Sequence, residues 1–337
     1  MNVFIVGGTG LLGSAGAREL IARGHEVSSI ALPPVPAGAD IPEGMDLRLG
    51  DVREMGDGEL GALLAGRDGL VFAAGVDERV EGPPPIYDFY RRRNIEPMRR
   101  FLSAAKRSGA RRAVVLGSYF AHLDRLRPEW RLARTHPYIR SRVDQEREAL
   151  AFAEDGSMDV AVLEIPYVFG AQAGRRPVWM FLAEYLRRRM PAVLYPRGGT
   201  AAVTVRQVGQ AIAGALERSR GGALYPIGYR DMGWSEMLRT MMRGLGLPER
   251  PVVTVPTWSF ALAGALIDAG RRARGIEGGL RMSRFARVMA SESFIDGAIA
   301  ARELGVEPDD IDAAIAQSMR LCADILDGRA AAIGMSG

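Results

Sequence analysis

The sequence predicts an α/β protein, a doubly wound parallel sheet followed by a smaller, mostly helical C-terminal unit, and three observations carry that prediction. Short apolar runs alternate with helical patterns over the first half of the chain. A glycine-rich string closes the first of those runs. Beyond Gly170 the strand-like runs thin out, and helical stretches separated by Pro/Gly-rich turns take over. Such alternation implies parallel pairing, because parallel neighbours need crossover connections, and the helices that make them cover both faces of the sheet.

Val3 to Val6 is an apolar run ending in glycines and reads as a buried strand. Ser14 to Arg23 has helical spacing through Ala17, Leu20 and Ile21, and Glu26 to Leu32 reads as the next strand. Leu47 to Leu49, Gly69 to Ala73, Arg112 to Leu116 and Val160 to Ile165 recur as further buried strands. In the second half Val178 to Arg189, Val205 to Arg218, Trp234 to Gly244 and Trp258 to Arg274 read as helices, and Ala223 to Ile227 as a short strand returning to the sheet.

With 47% hydrophobic and 25% charged residues in 337, the chain is neither disordered, collagen-like nor disulfide-stapled. Cys322 is the only cysteine and cannot form an intrachain bridge, so a reducing compartment is the simplest reading. Met1 to Gly7 lacks a basic leader region, and no segment approaches the ~20 apolar residues that span a bilayer. A cytoplasmic protein without stable membrane insertion is expected. Every basic residue except Lys106 is arginine, and the net charge is +4. The arginines fall in short clusters beside acids, the pattern of solvated helix faces, and no zinc-finger or RNA-binding motif accompanies them, so no nucleic-acid partner is expected. Metal-ligand spacing and a Gly-x-Ser-x-Gly nucleophile elbow are likewise missing from the sequence.

Gly7-Gly8-Thr9-Gly10-Leu11-Leu12-Gly13 sits directly after a strand and opens a helix. Glycines there permit a tight turn and let backbone N–H groups approach a pyrophosphate at the positive end of the helix, while Gly13 allows close helix–strand contact. The pattern predicts dinucleotide binding by a Rossmann-type domain over 1–169, with 204–228 returning to it. Residues 170–203 and 229–327 then form a substrate-binding cap, and 328–337 a poorly anchored tail.

Further segments follow in a fixed order: Gly50-Asp51-Val52, Val71 to Gly75, Asn94, Val114 to Ser118, Tyr138 with Arg142, and Pro166 to Gly170. In these the chain resembles the extended short-chain dehydrogenase/reductases, the NAD-dependent epimerase/dehydratase family, from Met1 to roughly Gln317. The resemblance implies that Asp51 and Val52 contact adenine, that Ala73, Ala74 and Gly75 line the cofactor, and that Pro166, Tyr167 and Val168 lie beside the nicotinamide. It implies that Ser118 polarises the substrate oxygen and that Tyr138 is the tyrosine of Tyr-x-x-x-Lys. The expected activity is NAD- or NADP-dependent hydride transfer, as in a reductase, epimerase or dehydratase, on a carbonyl or alcohol carbon of a sugar nucleotide or a partly apolar ketone or alcohol. Relatives often dimerise through four helices, here those around Ile86 to Gly109 and Tyr138 to Ala153.

One departure stands out, since Arg142 occupies the position of the family's lysine. The i,i+4 spacing keeps a cation beside the Tyr138 phenol, but a planar guanidinium does not replace a compact ammonium that binds ribose and relays protons. A redox-silent dinucleotide-binding protein is therefore the alternative. Asn94 matches a family asparagine, although a buried asparagine tying backbone together would look the same. The end of the second strand, Ser28 to Pro33, has neither a carboxylate for a ribose hydroxyl nor an arginine for a 2′-phosphate, which leaves NAD against NADP open; the nearest cations are Arg48 and Arg53. His122 and His136 flank the site in sequence and read as polar surface residues more readily than as proton relays. Glu164 stands where many relatives carry a basic residue. Trp258 to Ile267 is apolar nearly all round and runs into Arg271, Arg272 and Arg274. It reads as a buried cap helix lining the substrate pocket, ahead of a helix lying on a membrane surface.

Overall fold

The computed structural model describes residues 1–35 and 38–334. Its centre is a seven-stranded sheet of β1 (Asn2–Val6), β2 (Glu26–Ala31), β3 (Met45–Leu49), β4 (Gly69–Phe72), β5 (Arg112–Leu116), β6 (Asp159–Glu164) and β7 (Gly222–Pro226). The spatial order is 3-2-1-4-5-6-7 and every pairing is parallel. This is the Rossmann-type α/β architecture that the alternating runs predict. The order reverses between β1 and β4, where Val6 pairs with Ile30 on one side and Phe72 on the other, and such a reversal opens a crevice at the carboxyl ends of the strands.

Alternate residues of each strand feed two cores. Val3, Ile5, Val71, Val114 and Leu163 pack with α1 (Leu11–Ala22) and, from the second half of the chain, with a helix over Val205–Arg218. Phe4, Val6, Phe72, Val115 and Val162 pack on the opposite face with helices that include α2 (Glu96–Arg107) and α3 (Pro137–Leu150). Burial on both faces explains why these strands read as continuous apolar runs.

A third, aromatic- and methionine-rich core joins Tyr119 and Phe120 of the first half to Trp179, Trp234, Met237, Met241 and Phe285 of the second, all buried. The second half of the chain contains more strand than the sequence reveals. Gly199–Thr204 pairs with Tyr167–Phe169, Arg230–Gly233 and Glu292–Ser293, and Val193–Pro196 pairs with Val252–Val255. These strands have two to six residues, too short for a period to register. The tail is anchored at its start through Arg329 and Ala330 to the Asp324 carbonyl and again at Ile333, whose N–H donates to the Gly174 carbonyl at 2.9 Å and whose carbonyl accepts from the Arg176 N–H. Residues 335–337 of that predicted tail lie outside the described residues.

The helix Thr257–Ala273 departs furthest from expectation. Instead of being buried as a pocket wall, only Gly264 is buried, and Trp258, Leu262 and Leu266 stand 70, 57 and 70% exposed. A helix apolar on all sides gives no sign of which side will face the core. Here Gly264 chooses, because its missing side chain lets the helix pack directly on the Met282–Ser283 backbone. Among the described residues no helix is long and apolar enough to cross a membrane.

Candidate active site

The glycine loop begins where β1 ends. Gly7 has φ +94, a left-handed backbone that favours glycine, and the Gly10 N–H donates to the Gly7 carbonyl at 3.0 Å. A Cβ added at Gly13 would run into that same carbonyl, so α1 packs against the loop only because residue 13 lacks a side chain. Leu11 and Leu12 open α1. The Gly8 N–H donates to Ser29 Oγ at 3.0 Å, which holds the loop over the end of β2. These features fit a dinucleotide pyrophosphate set against backbone amides at a helix N-terminus.

The cleft above the loop is lined by Gly7, Thr9, Gly10 and Leu11, by Asp51 and Val52, and by Ala73, Ala74 and Gly75. The sequence did not announce its other wall. Gly170 to Val178 folds back over the loop, so that Arg175 Nη2 donates to Thr9 Oγ1 at 3.0 Å and Gln172 Nε2 to the Thr9 carbonyl at 3.2 Å. Arg175 follows the matched Pro166–Gly170 segment, but a contact spanning 166 residues has no local signal. At the far end Arg53 donates through its backbone N–H and Nε to Asp51 Oδ1, each at 2.9 Å, and holds that carboxyl below the usual range. Arg53 lines the cleft, whereas Arg48 is exposed on β3 and is not among its described lining residues.

Ser118, Tyr138 and Arg142 meet at the carboxyl ends of β4 to β6. Ser118 caps the helix Tyr119–Leu126, its Oγ accepting from the Phe120 N–H at 3.4 Å, and its hydroxyl favours the ionised form of the nearby Tyr138 phenol. Arg142, one turn along α3, donates Nε to that phenol at 3.1 Å, Nη1 to Gln145 Oε1 at 2.8 Å and Nη2 to the Val76 carbonyl at 3.2 Å. Burial is the largest influence on Tyr138 and raises its pKa; the Arg142 charge opposes this and Glu78 adds to it. Glu78 was not anticipated. It lies three residues beyond Gly75, and its charge acts on Tyr90, Tyr119, Tyr138 and Tyr167 alike.

Asn94 sits in the π-helical turn Arg91–Ile95 between the helix Ile86–Tyr90 and α2. Its Oδ1 accepts from the Val76 N–H at 2.8 Å and its Nδ2 donates to the Val76 carbonyl at 3.2 Å. It therefore pins the strand end that Arg142 also grips, which is the backbone-tying role. Pro166 leads into Tyr167 and Val168, which enter the cap: Tyr167 packs against Tyr119, Trp179 and Trp234, and the Val168 carbonyl accepts from Trp179 Nε1 at 3.0 Å. His136 is buried rather than at the surface. Its Nδ1 accepts from the Arg281 N–H at 3.1 Å, and burial pushes the imidazole down to about 4, so it is neutral at physiological pH.

Behind Ser118 lies a group of buried charges. Arg125 donates Nη1 to Glu146 at 2.8 Å and Nη2 to Glu164 at 2.6 Å, with His122 Nδ1 3.5 Å from Glu164. Glu146 Oε1 and Glu164 Oε2 have no donor, and burial together with the Glu164 charge pushes Glu146 up to about 9. The acid at position 164 is thus matched by Arg125 from a neighbouring helix.

Fold and cleft together define a Rossmann-type dinucleotide-binding protein. The sequence pattern of the NAD dependent epimerase/dehydratase family matches residues 3–228, and the chain belongs to that family. Membership sets the cofactor class as NAD or NADP. Among solved structures, gox2253 is similar with a TM-score of 0.73 at 20% identity, over 98% of this chain and 99% of that one. PA4631, a nucleoside-diphosphate-sugar epimerase from Pseudomonas aeruginosa, gives 0.67 at 18% over 98% and 99%. UDP-glucose 4-epimerase from Bifidobacterium longum, in complex with NAD+ and UDP, gives 0.68 at 15% over 98% and 99%. At these identities the likeness speaks for the fold. No curated protein matches the sequence.

Proposed function

We propose that the protein is an NAD(P)-dependent oxidoreductase of the epimerase, dehydratase or reductase type, acting on a carbonyl or alcohol carbon of a small organic substrate. The observation that carries this reading is the Tyr138 phenol, hydrogen-bonded by Arg142 and with Ser118 near it, beside the strand end that closes the cleft. The bound nicotinamide supplies hydride exchange. The glycine loop and Arg175 hold the pyrophosphate, Ser118 polarises the substrate oxygen, Tyr138 transfers its proton, and Arg142 holds the phenol in line. In this division 1–169 with 204–228 binds cofactor, and 170–203 with 229–327 binds substrate.

Phe120 packs edge-on against Tyr138 and joins it through Tyr119 and Phe285 to an aromatic core, which favours a partly apolar substrate over the sugar nucleotides named for the relatives. A panel of ketones, aldehydes and sugar nucleotides assayed for NADH and NADPH oxidation tests both. The reading fails if the protein binds cofactor yet turns over none of them.

One observation favours the redox-silent alternative: Arg142 is held by a bond from each guanidinium nitrogen to Tyr138, Gln145 and Val76, which fixes its orientation and leaves only the second N–H of Nη1 and Nη2 for a ribose. Arg142→Lys is expected to retain turnover and Arg142→Ala to lose at least about tenfold, whereas a sensor gives no turnover in either. Arg175→Ala is expected to weaken NAD(P)H binding about tenfold, the value of one charge-assisted hydrogen bond. Nicotinamide fluorescence titration reads this, and an unchanged Kd removes Arg175 from the site.

A further inference from the structure

We propose that the helix Thr257–Ala273 docks the protein on an anionic lipid surface. At about 100° per residue, Trp258, Ala269, Leu262, Ala273 and Leu266 fall within an arc of about 80° on the outward side. All five are exposed, and no charged residue lies within the arc. Arg272 lies about 40° beyond the arc on one side and Arg274 follows the helix at its C-terminal end, both exposed. The only acid on the helix, Asp268, is turned inward, where it accepts from the Met282 and Ser283 N–H groups at 2.9 Å each and from the Ser283 hydroxyl at 2.7 Å. Beside the helix, Leu194 and Val253 are register partners in the two-stranded ribbon that leads into it, and both are exposed.

Charge selects the occupant. Segments 187–197 and 251–275, which carry the ribbon and the helix, contain seven arginines and one acid. Arg187 and Arg271 are paired with Asp327 and Glu81 from elsewhere in the chain, and the surplus remains strongly positive. A second copy seated here would set these arginines against their own kind, whereas phosphate headgroups complement them. Tryptophan and leucine on the outward face with arginines beside it and at the helix end is the arrangement that lies in a bilayer interface without crossing it.

The full chain is tested by co-sedimentation with phosphatidylglycerol/phosphatidylcholine vesicles and with phosphatidylcholine alone, at low and high salt. Binding is expected to the anionic vesicles only, and to weaken as salt rises. Leu262→Ser with Leu266→Ser, and separately Arg272→Glu with Arg274→Glu, are each expected to lower partitioning at least about tenfold. Circular dichroism and NAD(P)H binding should be unchanged, since all four positions are exposed. No binding to anionic vesicles, or binding that neither pair alters, overturns the proposal. So does light scattering that finds a dimer which Leu262→Ser with Leu266→Ser dissociates.

Discussion

Tyr138→Phe is expected to lower kcat by about 10²- to 10⁴-fold while leaving the melting temperature and the cofactor Kd almost unchanged. The ring contributes packing through edge-on contacts with Tyr90 and Phe120 at centroid distances of 5.4 and 6.3 Å, and phenylalanine keeps both. Only the hydroxyl is lost, along with the hydrogen bond it accepts from Arg142. The pH dependence has a definite sign. Because burial raises the phenol's pKa, its proton-donating form persists through neutral pH. Carbonyl reduction, which needs that proton, should run flat through neutrality and fall only in alkali. Alcohol oxidation needs the phenolate and should climb as pH rises. Steady-state rates in both directions decide this; a phenylalanine variant with wild-type kcat would remove Tyr138 from the chemistry altogether.

Arg125→Ala is expected to cost about 2–3 kcal/mol of stability, below the ~3–5 typical of a broken buried pair because Arg125 keeps part of its surface in water. The loss leaves Glu146 and Glu164 buried without a cation. Glu146 also shapes the wild-type protein. Its carboxyl titrates near 9 when folded against 4.5 ordinarily, so between those values the folded state holds more protons than the unfolded one. Stability from this group is therefore full below about pH 4.5 and is lost as pH rises toward 9. Melting curves across that window should fall more steeply for wild type than for Glu146→Gln. Parallel curves would mean that Glu146 is ionised in the folded protein.

How much could be read in advance follows the sequence separation of the contacts. The glycine loop is legible because turn, helix start and close packing are settled within Gly7 to Gly13, and the Tyr138–Arg142 pair because one helical turn joins them. Arg175 over Thr9, the Arg125 answer to Glu164, and Glu78 among the tyrosines depend on chain segments brought together only by the fold. His136 escaped notice as a buried group because nothing beside it in sequence reveals that Phe285 and the Arg281 N–H will cover it. The outward face of Thr257–Ala273 escaped for a different reason, since uniform apolarity carries no direction.

The edge strand β7 has a consequence for biosynthesis. When β6 has been synthesised, the helix Val205–Arg218 that covers one sheet face is still some 40 residues downstream and the β7 neighbour some 60. At ~5–20 residues per second the free edge at Val160 to Leu163 waits roughly 3–12 s for its partner. During that interval the nascent chain presents an unpaired apolar strand to its neighbours, and expression yield should respond to translation speed and chaperone supply more than to the strength of any contact in the finished protein.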